Sequence, residues 1–248
     1  MRTSNPFLKE DTFSRHAYLT GEDPATLMTV KGTANKCLIM LALAMVTFGL
    51  TWYGVEQRGP QAIFPYIIGS ALGGLVLALI IAFKAHLAPV LAPVYALVKG
   101  IVLGGLSAVL EIKFPGIAFQ AVGITMGVFL TMLVVYRSGL ITVTRQFMIG
   151  VVAATGGIAL IYLVSIIASW GFGYHIPFIH EGGPIGIGFS LFVMVIAALN
   201  LVLDFHFIEK GVEQGAPKEM EWYGAFGLMV TLFWLYIEAL RLLAKLRR

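Results

Sequence analysis

Seven long apolar runs, separated by short polar connections, constrain this chain more than any other feature of its sequence. An α-helix rises 1.5 Å per residue, so about 20 residues cross the roughly 30 Å of hydrocarbon in a bilayer. The runs are continuously apolar and lack the period-two alternation of outer-membrane strands, which favours helices over a barrel. The sequence therefore predicts an all-α integral membrane protein, a seven-transmembrane helical bundle. The predicted spans are 37–54, 62–83, 90–110, 117–136, 147–170, 184–208 and 222–243.

Residues 1–36 are predicted to form a cytoplasmic N-terminal tail, and residues 37–248 one seven-helix transmembrane domain. The tail lacks the short basic-then-apolar pattern of a cleaved signal peptide. Only 12% of the residues are charged, and the basic ones mostly flank the apolar runs. The net charge of +4 therefore reflects orientation in a bilayer and does not indicate nucleic acid. A single cysteine, Cys37, excludes an internal disulfide and a cysteine-based metal site.

Lysine and arginine in the connections predict the orientation, because cytoplasmic loops carry an excess of both. Ten of them lie on the side of the N-terminus, whereas the opposite loops hold only Arg58 and Lys113. The N-terminus is therefore predicted to be cytoplasmic. Seven crossings then send the basic ending RLLAKLRR to the outside, against the same rule. Either the last segment spans fully or it re-enters and turns back, and the sequence leaves both open.

Small residues at intervals of about four predict close helix packing in three of the spans. They occur in the stretches GSALGG, GIVLGGLSA and GVVAATGG. The stretch GPIGIGF predicts a break in the backbone where the sixth helix begins. Pro89 and Pro93 predict a kinked start to the third helix.

Four ionisable residues interrupt the apolar runs: Lys99, Glu111, Asp204 and Glu238. Each charge in hydrocarbon costs about 2.5 to 3.5 kcal/mol on insertion scales, and such residues usually face the interior of the bundle. Glu111 lies at the end of its span, where solvation at the interface is the simpler interpretation. Lys99 fits a snorkelling or structurally paired cation as well as a functional one. Asp204 and Glu238 fit either a functional role or a structural ion pair.

The last two spans are joined by the short polar turn VEQGAPKE, which makes them antiparallel neighbours. Counting from this turn places Asp204 about 16 Å along its helix and Thr231 about 18 Å along the next, so the two are level. Glu238 is seven residues beyond Thr231, on the same helix face and about two turns further on. A line of polar groups is thus predicted, with His206 and Asp204 low, Thr231 in the middle and Glu238 high.

Three stretches in the last third of the chain, GPIGIGFSLF, LVLDFHFIEKGVEQGAPKEMEWYGAFG and LYIEALRLLAKL, resemble the Bax-inhibitor-motif superfamily. Within it they are most similar to the bacterial Bax-inhibitor-like branch, whose members lie in the bacterial inner membrane. The resemblance implies a bundle with the last helix central. For characterised relatives it also implies a calcium leak whose closed state depends on an acidic pair between the sixth and seventh helices.

Asp204 matches the first member of that pair, but the chain departs from the pattern at two other positions. Thr231 stands where relatives have an aspartate, with Glu238 two turns beyond it. His206 stands where this branch often has an acidic residue. Both departures bear on whether the closed state of this chain depends on a pair of aspartates, as it does in the characterised relatives.

The function predicted from these features is a pH-sensitive leak for calcium or other cations. Asp204 and Glu238 would bind Ca²⁺ weakly and transiently, since Ca²⁺ takes six to eight oxygen ligands and two carboxylates cannot hold it tightly. Weak binding suits conduction, and the predicted ion path and pH gate comprises Asp204, Glu238, Thr231, His206 and Lys99. Buried carboxyl groups can have pKa values near neutral pH, and an imidazole titrates there without perturbation. No cofactor is predicted, and calcium ions, protons and the lipid bilayer are the predicted partners.

Two other functions are compatible with the sequence. A proton-coupled transporter would use the same carboxylates, although the two halves of the chain show no clear inverted repeat. A non-conducting regulator of a membrane protease or of a stress response would act through the tail, a role suspected for some bacterial relatives. Enzyme motifs such as HExxH and GxSxG are absent, so no enzyme is predicted. A last possibility is a metal site formed by His175, His180 and Glu181 in the outer loop.

Overall fold

A computed structural model describes residues 26–172 and 183–247 of the chain. These residues form seven long helices and a short 3-10 turn at Ala85–Leu87. The helices are α1 Val30–Arg58, α2 Pro60–Phe83, α3 Ala88–Lys113, α4 Ile117–Arg137, α5 Arg145–Phe172, α6 Pro184–Glu213 and α7 Met220–Leu246. Within the described ranges the extended structure is limited to an isolated bridge between Leu27 and Pro217.

All seven helices are long and apolar enough to cross a membrane. The predicted all-α membrane fold with seven spans is therefore confirmed. The helices extend past the predicted spans because the polar residues next to the apolar runs are helical as well. The largest extension is at α1, which begins at Val30, where the Thr29 side chain caps the helix by accepting a hydrogen bond from the amide of Gly32 at 2.9 Å.

The last helix is the most buried of the seven described spans, with 61% of its most apolar window inside the protein. This burial agrees with the predicted central position of α7. The predicted backbone break before the sixth helix is also present, since α6 begins at Pro184 directly after a bend at Gly183. At the third span a 3-10 turn precedes α3, which then continues through Pro93.

The chain divides into two compact units. The first unit comprises Met1–Ile112 and Asp204–Phe233, and the second comprises Lys113–Leu203 and Trp234–Arg248. Both α6 and α7 contribute to each unit, because the boundaries fall within these two helices. Asp204 and Thr231, which are predicted to lie at the same height along their helices, both belong to the first unit. Glu238 belongs to the second unit.

The glycines of α3 are the close-packing positions of the first unit. A Cβ atom on Gly100 would collide with the backbone carbonyl of Ala44 in α1, and one on Gly104 would collide with that of Phe48. The packing predicted from GIVLGGLSA is therefore confirmed. The same prediction was wrong for GVVAATGG, because a Cβ atom on any of its three glycines would meet nothing within 4 Å among the described atoms.

Two basic residues at the end of α7 donate hydrogen bonds to oxygen atoms of the second unit. In the second unit, Arg247 donates hydrogen bonds to the carbonyl oxygen of Pro115 at 2.8 Å and to Gln120 Oε1 at 2.7 Å. Lys245 donates to the carbonyl oxygen of Gly186 at 2.9 Å. The helix α7 is continuous over 27 residues, is long and apolar enough to cross a membrane, and does not turn back within its length. Oxygen acceptors therefore satisfy the charged ends of Lys245 and Arg247.

A labelling experiment tests this topology. We expect a cysteine added after Arg248, in a Cys37→Ser background, to react with a membrane-impermeant thiol reagent on the face opposite the N-terminus. A cysteine at Gln214, which is exposed in the α6–α7 turn, is the control and should react only from the N-terminal face. Reaction of both cysteines from the same face would contradict the full crossing.

Candidate functional site

Three carboxylates are buried inside the described part of the protein. Glu221 and Glu238 have 0% and 1% of their surface exposed, and Asp204 is partly buried with its Oδ2 atom fully enclosed. One oxygen of each accepts no hydrogen bond from the described residues. Because a buried carboxylate in a membrane protein is expensive, each requires a structural or functional explanation.

Asp204 is a residue of α6 in the first unit, and its side chain has neighbours on α7 and α1. The Thr231 side chain hydrogen-bonds its carboxyl group, so the predicted equal level of these residues is confirmed. Gly227 of α7 allows a close approach, since a Cβ atom there would lie 3.7 Å from Asp204 Oδ1. On the α1 side, Cys37 is near enough to interact electrostatically with Asp204. No lysine or arginine in the described ranges forms an ion pair with this carboxylate.

Glu238 lies in the second unit in a compact cluster with Tyr162 and Arg241. Its Oε1 accepts hydrogen bonds from the Tyr162 hydroxyl at 2.9 Å and from Arg241 Nη1 at 2.7 Å. The Arg241 guanidinium also stacks over the Tyr162 ring, 4.8 Å from its centroid, and donates to the hydroxyl at 2.5 Å. Glu238 is therefore neutralised by a cation, and only its Oε2 is left without a hydrogen bond among the described residues.

Glu221, in the first turn of α7, is a buried carboxylate that sequence reasoning missed. Its Oε1 accepts hydrogen bonds from the Thr29 amide at 3.1 Å and the Thr29 hydroxyl at 3.0 Å. Its Oε2 accepts no hydrogen bond but lies 3.3 Å from Lys36 Nζ, which forms an ion pair with it. In the sequence, Glu221 is an acidic residue at the start of a helix. Such residues are common on protein surfaces, so its position does not indicate burial.

The cationic partners distinguish the three sites. Glu221 is paired with Lys36 and Glu238 with Arg241, whereas Asp204 has a threonine hydroxyl and no cation within the described ranges. A lone buried carboxylate is stabilised by taking up a proton or by binding a mobile cation. Asp204 is thus the carboxylate most available to an exchangeable ion.

His206 lies two residues after Asp204, where a helix has turned by about 200°. Its side chain is partly buried, and the charges that act on it are those of Lys210, Glu209 and Glu213 near the end of α6. Glu209, Lys210 and Glu213 are all exposed. The structure therefore places His206 among the polar groups at the end of the helix, as the helical spacing predicts.

Substitution of His206 should consequently have a modest effect. For the leak predicted from the sequence, we expect His206→Ala to shift the pH midpoint of ion flux by less than about one unit and to leave a pH-sensitive flux, since the imidazole influences nearby charges without forming the Asp204 site. Proteoliposome flux measured from pH 5 to 8 checks this expectation. Complete loss of the pH response in His206→Ala would assign the gate to the histidine.

The remaining candidates are Lys99, Glu111 and three residues of the outer loop. Lys99, in α3, is partly buried with its Nζ 5.6 Å from the centroid of the Tyr95 ring, and it forms no ion pair within the described ranges. Glu111 is partly exposed near the end of α3, as expected for an interfacial residue. The proposed metal ligands of the outer loop, His175, His180 and Glu181, lie outside the described residues.

Calcium binding at Asp204 would have few ligands. The two carboxylate oxygens and the Thr231 hydroxyl supply three, whereas Ca²⁺ takes six to eight. Within the described ranges no three His, Cys, Asp or Glu residues group closely enough to hold a metal ion. The arrangement therefore does not fit a tight calcium storage site.

Comparison with known proteins relates the chain to a family. A family model described as Bax inhibitor 1 like matches residues 5–248, which is nearly the whole chain. No curated protein and no solved structure matches the chain. The family match includes α6 and α7 in full, and therefore also Asp204, Thr231 and Glu238.

Proposed function

This chain belongs to the Bax inhibitor 1 like family, and from this membership we propose that it is a pH-sensitive leak for calcium and other cations. The resemblance noted in the sequence supplies the name of the ion. Asp204 is the proposed primary site on the ion path, with the Thr231 hydroxyl beside it. In the resemblance to characterised relatives, Asp204 matches the first of the two acidic residues on which their closed state depends.

The observation that carries this proposal is the buried Asp204 carboxylate without a cationic partner in the described ranges. A structural ion pair would explain its burial, as Arg241 explains that of Glu238, but the described groups next to Asp204, those of Thr231, Gly227 and Cys37, are neutral. A cation or a proton would satisfy the unbonded Oδ2. Exchange between these two ligands makes ion occupancy depend on pH, because protonation removes the charge that attracts the cation.

The other predicted residues have supporting roles in this proposal. Glu238 offers one unbonded oxygen, Oε2, which can contact a passing cation while Oε1 is held by Arg241. His206 tunes the local charge, and Lys99 limits cation passage by repulsion. The predicted line of groups from Asp204 to Glu238 involves both units and stays a prediction.

The proposed setting is a bacterial inner membrane with the N-terminus in the cytoplasm. Support for this orientation comes from the excess of lysine and arginine in the connections on the N-terminal side. Lys245 and Arg247 donate to oxygen acceptors, so in this proposal they count as weaker orientation signals than exposed cations.

A non-conducting regulator of a membrane protease or stress response is the second candidate. It is favoured by the ion pairs that neutralise two of the three buried carboxylates, an arrangement that needs no ion path. In that case Asp204 would be protonated and structural, and calcium and protons would not cross. A proton-coupled transporter would also use Asp204, but it would move a solute only when a pH gradient is imposed.

Reconstitution separates these functions. The purified protein is placed in liposomes that contain a calcium-sensitive dye, and calcium entry is compared with that of protein-free liposomes from pH 5 to 8. A leak gives calcium entry without an imposed proton gradient, and a regulator gives none. Uptake that appears only with a pH gradient would instead identify a transporter.

A further inference from the structure

The junction before α1 is fastened to the α6–α7 turn by a set of contacts that we call the clasp, formed by residues 26–36 and 216–221. Two backbone hydrogen bonds join the strands of the clasp: the Met28 amide donates to Ala216 at 2.7 Å, and the Lys218 amide donates to Thr26 at 2.8 Å. These bonds flank the antiparallel bridge between Leu27 and Pro217. All clasp residues belong to the first unit.

Glu221 is the centre of the clasp. It accepts two hydrogen bonds from Thr29 and pairs with Lys36, so its carboxylate joins the starts of α7 and α1. The same Thr29 hydroxyl accepts from the Gly32 amide, which links the N-cap of α1 to the carboxylate. A Cβ atom on Gly32 would overlap the Glu221 carboxylate, so the contact requires glycine at this position.

The clasp holds the same helix that contacts Asp204. Gly227 and Thr231, which lie against the Asp204 carboxyl group, follow Glu221 by six and ten residues in the continuous helix α7. Met28 is 2% exposed and packs close to Gly224, one turn after Glu221. A shift of α7 relative to Asp204 therefore strains or breaks the contacts of Glu221.

We propose that Glu221 is a positioning residue whose clasp fixes α7 beside Asp204 in the closed leak, and that the clasp must release for the leak to open. This inference rests on the proposed function. It goes beyond it by assigning a closed-state restraint to residues outside the ion path. The Glu221 carboxylate is fully buried, whereas the Lys36 side chain is 23% exposed, so this charge-assisted contact is suited to the task because breaking it leaves a buried charge without its partner.

Hydrogen exchange measured by mass spectrometry tests whether Glu221 holds the clasp. In Glu221→Gln and in Gly32→Ala we expect the amides of Met28, Thr29 and Gly32 to exchange faster by about tenfold or more, the effect of losing a charge-assisted hydrogen bond. Glu213→Gln, an exposed carboxylate before the same turn, is the matched control and should leave these amides unchanged. Unchanged exchange in both clasp variants would overturn the proposal.

A disulfide lock tests the link to ion flux. Leu27 and Pro217 lie directly opposite each other and do not hydrogen-bond to each other. In antiparallel pairs of this type the Cα atoms are about 4.5 Å apart, which is within the range for a disulfide. In a Cys37→Ser background, we expect oxidised Leu27→Cys/Pro217→Cys to show about tenfold less calcium flux than the same protein after reduction. The flux of Cys37→Ser alone should not respond to the reductant. Glu221→Gln should raise flux above that of the wild type.

The outcomes separate this inference from the proposed function. If the wild type conducts, and the oxidised lock variant and Glu221→Gln conduct equally well, the role of the clasp is overturned and the leak is retained. Absence of wild-type flux would overturn the leak and its coupling to the clasp. In that case the exchange experiment would still decide whether Glu221 fixes the start of α7.

Discussion

Replacing Asp204 with asparagine should lower calcium flux by about tenfold and flatten its dependence on pH between 5 and 8. The substitution keeps the volume and the contact with Thr231, but it removes the charge that attracts a cation, and loss of about 1.4 kcal/mol of attraction changes occupancy tenfold. Asparagine also neither takes up nor releases a proton, so the part of the pH response that arises at this site is lost. Dye-loaded proteoliposomes measure both effects.

A matched control for Asp204→Asn is Glu56→Gln, which neutralises an exposed carboxylate of the first unit far along α1. Its flux should equal that of the wild type at every pH. If Asp204→Asn retained both the flux and the pH response of the wild type, Asp204 would not lie on the path. Intact folding of the variant is verified by its elution from a sizing column and its thermal unfolding.

The part of the fold that sequence predicted is the part that the bilayer dictates. Hydrocarbon tolerates few charges and no unpaired backbone groups, so the positions of the seven helices follow from hydropathy and length. The level of Asp204 and Thr231 followed from the fixed rise of two helices joined by a short turn. These predictions needed no knowledge of how distant helices pack.

The parts that sequence did not predict depend on contacts between residues distant in the chain. Tyr162 hydrogen-bonds Glu238 across 76 positions, and Thr29 hydrogen-bonds Glu221 across 192. Nothing in local spacing relates such residues. Arg241 is different, because its i,i+3 spacing from Glu238 was visible, but the basic ending was interpreted only as an orientation signal.

The ion pair of Glu238 and Arg241 explains why Glu238 differs from Asp204, and it leads to the second large prediction. Arg241→Met should destabilise the protein by about 3 kcal/mol, the lower end for breaking a buried pair, because Glu238 stays buried without its cation while Arg241 is itself 36% exposed. Glu238→Gln should cost about 1 kcal/mol, since an amide still accepts from Tyr162 and the partly exposed guanidinium can reach water.

Unfolding of the purified protein in detergent measures these changes, with Lys210→Met as the control for an exposed pair. Lys210 and Glu213 are about half exposed, so loss of their pair should leave the stability close to that of the wild type. The double variant Arg241→Met/Glu238→Gln should recover most of the stability lost in Arg241→Met, because the uncompensated buried charge is gone. Equal losses in the two single variants, without recovery in the double variant, would show that Arg241 stabilises the protein by packing on Tyr162 and not by neutralising Glu238.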